Sequence, residues 1–119
     1  MELIKIAELI ESKIKTLERG RHELEPRAKA KAEAIANYEK ALAKKLIQLK
    51  NGITFQLDGE TIENPPATLS EKIARGLCYD EKIKSELAEA QYKNAVIGLQ
   101  TIQAELNGLQ SINRYLSEK

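Results

Sequence analysis

The chain is poor in the residues that make chemistry. Its 119 residues include no tryptophan, one phenylalanine, one cysteine and one histidine. A single thiol, Cys78, forms no disulfide within the chain and suits a reducing compartment. In two antiparallel helices closing near 51–68, His22 and Cys78 fall about 30 Å apart at about 1.5 Å per residue. They therefore make no nucleophile–base pair. No Cys/His cluster has zinc spacing, the six glycines are scattered rather than gathered into a phosphate-binding loop, and no two carboxylates converge. A net charge of +1 builds in no general attraction to nucleic acid or membranes. No stretch approaches the roughly 20 apolar residues of a membrane span. Glu2, Glu8 and Glu11 break up the first segment, so no signal peptide is expected. The sequence predicts a non-enzyme with no cofactor, no metal and no membrane contact, in a reducing, cytosolic compartment.

What remains is helical patterning. Residues of about 2–50 and 68–117 read as two long helices flanking a turn-rich segment of about 52–67. In the first helix, spacings of four and three pick out Leu3, Ala7, Ile10, Ile14, Leu17, Arg21, Leu24, Ala28, Lys31, Ile35, Tyr38, Leu42, Lys45 and Leu49. A 3.5-residue repeat held over seven heptads argues for supercoiled helices. The phase crosses Pro26 unchanged, so one continuous helix with a kink or loosened turn is expected there, at a local cost of about 3 kcal/mol. The second helix shows two frames: Leu69, Ile73, Gly76, Asp80, Ile83 and Leu87, then Tyr92, Ala95, Leu99, Ile102, Leu106, Leu109, Asn113 and Leu116. They differ in phase, which predicts a slip around 88–92. Arg75 to Asp80 predicts a bend near 76–80, with Asp80 as a fresh N-cap.

The connecting segment carries its own signals. Asn51-Gly52 stops the first helix, and Asp58-Gly59 between Ile53–Leu57 and Glu60–Glu63 predicts a β-hairpin. Thr68-Leu69-Ser70-Glu71 has the form of a capping box, and Pro65-Pro66 keeps the helix from starting earlier. An isolated two-stranded ribbon is marginal in water, so Phe55, Leu57 and Ile62 are expected to pack on helix ends or on another subunit. Pairs at i,i+4, among them Glu11–Lys15 and Glu71–Arg75, support the exposed faces by a few tenths of a kcal/mol each.

The fold class that follows is all-α: a single-domain, long antiparallel helical hairpin, coiled-coil-like, with a small β-hairpin at its tip, assembling into a helix bundle. The bundle is expected because residues 1–17 and 95–116 carry apolar faces wider than one seam requires. Ile6, Leu9, Val96, Ile102, Leu109 and Ile112 form the expected oligomer face. Two further surfaces are candidates. The tip offers Phe55, Leu57, Asn64, Pro65 and Pro66 to a partner, since loops on rigid scaffolds often recognise. The basic middle of the first helix offers Lys29, Lys40 and Lys44 to phosphates. It has no interleaved aromatics to stack on bases, and the bland reading is that these lysines keep an Ala-rich helix soluble.

Three segments carry a resemblance. Tyr38-Glu39-Lys40-Ala41-Leu42-Ala43, Ile62 through Gly76, and Glu105-Leu106-Asn107-Gly108-Leu109-Gln110-Ser111-Ile112-Asn113-Arg114-Tyr115 resemble a family of short helical phage and prophage proteins of Gram-positive bacteria. The resemblance implies a phage setting in the host cytoplasm; that family has no established activity, so no site residue transfers. The function expected is a non-catalytic, self-associating interaction or adaptor protein with a phage or host protein as partner. The alternative is a nucleic-acid-binding accessory of phage replication or recombination, which is not favoured.

Overall fold

The computed structural model describes residues 2–118. Helix α1 spans Leu3–Lys50, strand β1 Phe55–Leu57, strand β2 Glu60–Ile62, helix α2 Ala67–Leu77 and helix α3 Tyr79–Ser117. Pro26 lies inside α1 without ending it. It sits at an exposed position, where the carbonyl its missing N–H would have met can turn to water.

Residues 51–66 fold as their turn chemistry dictates. Gly52 takes φ +77°. Its N–H donates to the Leu49 carbonyl at 3.2 Å, and the Ile53 N–H donates to Gln48 at 3.1 Å. These two bonds are a Schellman closure, which satisfies carbonyls that α1 would otherwise leave unpaired. Asp58 and Gly59 both have positive φ, 49° and 83°, as a type I′ turn requires. The strands pair Phe55 with Ile62, Gln56 with Thr61 and Leu57 with Glu60. The Gln56 amide also donates to the Thr61 hydroxyl at 2.9 Å.

The expected capping box is not formed. α2 begins at Ala67, its N-cap is Pro66 and no side chain caps it. Thr68 is therefore already inside the first turn, and Ser70 donates its hydroxyl to the Pro66 carbonyl at 3.1 Å. The double proline sets an extended entry at Pro66 (ψ 145°), so the chain turns helical one residue before the threonine. The break between α2 and α3 falls at Cys78 (φ −100°, ψ 27°), whose N–H is shared between the Ala74 and Arg75 carbonyls. It lies within the expected interval, but Asp80 is in the first turn of α3 rather than at its cap.

Two compact units divide the chain: residues 1–29 with 90–119, and residues 30–89. In the first unit, Gly20 faces Leu99 and Lys13 pairs with Glu105. Rising numbers on α1 thus meet falling numbers on α3, and the helices run antiparallel. Ile6, Leu17 and Leu106 are its buried apolar residues. In the second unit, Leu49, Ala74, Cys78 and Ser85 are buried. The Lys82 ammonium lies 5.1 Å over the Tyr38 ring and that of Lys45 4.5 Å over Phe55.

The seam differs from its expected course on both helices. On α1, residues 24, 28, 31, 35, 38, 42, 45 and 49 are all covered as expected. Nearer the N-terminus, Leu3, Ala7, Ile14 and Arg21 are exposed, and Ile6, Lys13 and Gly20 are covered in their place. The rotation by one residue keeps Arg21 in water, where its charge is not desolvated. It also sets Gly20 where the helices come close. On the return strand of the seam, the frame through Leu106 runs without a slip. Positions 74, 78, 81, 85, 88, 92, 95, 99, 102, 106, 109, 113 and 116 are all covered, while Leu69, Asp80, Ile83 and Leu87 are exposed. Small residues (Ala74, Cys78, Ser85, Ala88) fill the seam where α1 brings Tyr38, Leu42, Lys45 and Leu49. Large opposite small is how close packing is met there, and it outweighs the hydrophobicity of Ile83 and Leu87.

Candidate interaction surfaces

The hairpin is held against the helices of its own unit by two of the side chains expected to greet a partner. Phe55 lies under Lys45, and a methyl of Leu57 rests 3.3 Å from where a Cβ on Gly76 would be. Both are half-covered, so they anchor the ribbon. Asn64 and Pro66 are exposed. Asn64 takes φ 41°, a left-handed conformation that costs a non-glycine residue about 1–2 kcal/mol and turns the ribbon toward Pro65. Pro65 forms one wall of a groove of about 470 Å³, with Leu46, Ile47 and Lys50 of α1 and Ser70 and Glu71 of α2. Ile47, 60% exposed, lies off the α1 seam; that displaced isoleucine beside the Pro-Pro segment was the signal for this groove in the sequence.

The basic candidates lie in different units: Lys29 in the first, Lys40 and Lys44 in the second. All three are exposed. Lys31 and Lys45 are half-covered, their stems on the seam with their charges toward water.

Of the expected oligomer face, the rotation of the α1 seam takes Ile6 out of reach of a partner. Ile6 is wholly buried within the chain, Ile102 and Leu109 are half-covered on the α3 seam, and Val96 is half-covered beside it. Leu9 and Ile112 remain exposed, together with Leu3, Ile4, Ile14, Ile97 and Tyr115. In this unit a groove of about 510 Å³ runs over Gly20, Gly98 and Leu99, with Arg19, Glu23 and Arg27 at its rim. Arg27 is held 3.7 Å from Glu23, so opposite charges share that rim.

Neither groove is lined by a histidine or a cysteine. His22 is exposed on α1. Among the described residues, no three His, Cys, Asp or Glu side chains gather where they would hold a metal ion, and no helix is long and apolar enough to cross a membrane. Cys78 is buried (1% exposed). Burial pushes its thiol above the ordinary value of 9.0, and the nearby Glu81 carboxylate pushes it further, against a smaller opposing pull from Lys45. The neutral thiol is thus favoured in the folded chain. Its contribution to stability is complete below the ordinary value and is lost as pH rises through the raised one. Two results are expected. At pH 8 a disulfide reagent should label native Cys78 slowly and the urea-unfolded chain within the mixing time. The urea midpoint should fall as pH is raised above 9. Equal labelling rates in the two states would contradict the buried thiol.

In comparisons with models of protein families, with curated proteins and with solved structures, the chain matches none.

Proposed function

We propose that the protein is a self-associating helical interaction module without a catalytic role, which docks a protein partner. One observation carries the reading. Among the described residues, thirteen large apolar side chains are exposed by 39% or more, Ile4 by 71% and Ile47 by 60%. A stable interface buries about 1,200–2,000 Å² in total over both partners, and exposed Ile, Leu and Tyr side chains for it lie in both units. The partner proposed is a phage or bacterial host protein met in the host cytoplasm, which is what a resemblance to short phage and prophage proteins would imply.

Light scattering across a range of micromolar concentrations tests this. A species of fixed mass, dimeric or larger, is the expected result. A single 13.4 kDa species throughout would overturn the self-association.

A further inference from the structure

The groove of about 470 Å³ in the second unit sets a hollow beside a knob. All of its lining belongs to residues 30–89, so its shape is fixed within one unit. Leu46, Leu49, Pro65 and Ala67 make it apolar, and Lys50 and Glu71 put one charge of each sign on its rim. Ile47 lines it too, yet is 60% exposed. A mid-helix isoleucine so open to water stands out from the surface it borders. The groove of the first unit lacks this combination. None of the large exposed apolar residues lines it. Its two guanidiniums, Arg19 and Arg27, outnumber its one carboxylate, Glu23, which Arg27 already holds.

We propose that two copies of the chain join here about a two-fold axis, each setting its Ile47 into the groove of the other. The proposal rests on the self-association reading and assigns it a surface. A two-fold contact must be self-complementary, because the patch that one copy offers is the patch that the other receives it with. A hollow with an apolar knob beside it meets that condition; a hollow alone does not. The rim meets it as well. The symmetry that carries Ile47 into the opposite groove sets Lys50 of each copy toward Glu71 of the other, and both residues are exposed. This charge complementarity selects a second copy over an unrelated apolar segment. Glu71 already accepts from Arg75 of its own helix, through Oε1. Its side chain is 61% exposed, so Oε2 remains for the lysine. Lys44 and Lys50 each lie three residues from Ile47. The two α1 helices therefore cross at Ile47 instead of lying side by side, since an antiparallel alignment would set Lys44 of one copy against Lys50 of the other. Pro65 keeps one wall of the groove stiff, so little ordering opposes entry.

The test uses the full chain and reads mass by light scattering, with circular dichroism as the check on folding. Ile47→Glu should yield a helical monomer, while Ile4→Glu, at a position 71% exposed but in the other unit, should keep the wild-type mass. Lys50→Glu and Glu71→Lys should each weaken the dimer about tenfold, because each sets like charges together twice. Mixed in equal amounts, those two variants should form a heterodimer about tenfold tighter than either variant alone, since both contacts are then restored. That mixture answers even if Ile47→Glu fails to fold. A wild-type oligomer indifferent to Ile47→Glu, or a mixture no tighter than either charge variant alone, would overturn the groove contact and leave self-association standing. A monomeric wild type would overturn both.

Discussion

Replacing Leu17 with alanine should lower the unfolding free energy by about 2–5 kcal/mol, while the same change at Ile14 should cost about 1 kcal/mol or less. The two side chains lie three residues apart on α1 and look alike in the sequence, both on an unbroken apolar repeat. In the structure Leu17 is 6% exposed and Ile14 39%. Truncating Leu17 removes buried methyls and leaves a void that two long helices, fixed along their length, relax around poorly. Truncating Ile14 trims a surface that water already reaches. Urea unfolding of both variants, at one fixed protein concentration because self-association couples to stability, would give the difference as a shift in midpoint at constant slope. Equal losses would return Ile14 to the seam and would contradict the rotated frame.

Gly20→Val should destabilise by about 1–3 kcal/mol, although valine is the better helix former. A Cβ at position 20 would stand 2.5 Å from a Leu99 methyl and 3.5 Å from its Cγ. Leu99, half-covered in the seam, must move its methyl to admit even the first carbon, and the branched valine adds atoms to the crowding. Gly98 gives the contrast, since a Cβ there meets nothing within 4 Å. Gly98→Ala should therefore stabilise by about 0.5–1 kcal/mol, largely by narrowing the unfolded ensemble. The opposite signs, read by thermal or urea unfolding, separate a glycine kept for close approach from one that is not. If the clash with Leu99 is the cause, adding Leu99→Ala to Gly20→Val should cost less than the two single losses combined. Strict additivity would place the effect of Gly20→Val elsewhere.

The α1 seam shows where reading by pattern stops. Hydrophobic periodicity found the repeat but not its phase, because Leu3, Ala7 and Ile14 satisfy the spacing as well as Ile6 does. Leu3, Ala7, Ile14 and Arg21 fit the spacing and are exposed, while Ile6, Lys13 and Gly20 are covered. On α3 the hydrophobic Ile83 and Leu87 drew the expected frame away from Ala88, Ser85 and Cys78, and a slip had to be placed at 88–92 to rejoin Tyr92. Packing chooses by volume as well as by polarity, and volume is legible only once the opposite wall is known. At the tip the pattern leaves open whether the ribbon packs on the helices or meets a partner. Phe55 and Leu57 belong to the ribbon's inner face, and only Lys45 and Gly76, distant in sequence, show what that face covers.

By itself the sequence determined the elements. Gly52 and the Asp58-Gly59 pair dictate local conformations that few other residues adopt cheaply, so the end of α1 and the hairpin turn follow from chain chemistry alone. Two long 3.5-residue repeats, with one cysteine and one histidine among 119 residues, likewise set the helical class. Tertiary structure decided which row of each repeat is inside: Ile6 and Gly20 rather than Ala7 and Arg21, Ser85 and Ala88 rather than Ile83 and Leu87. A helix offers several rows of equal period to a neighbour. The choice among them is made by the pair of helices together, through the volumes they must fit and the charges they must leave in water.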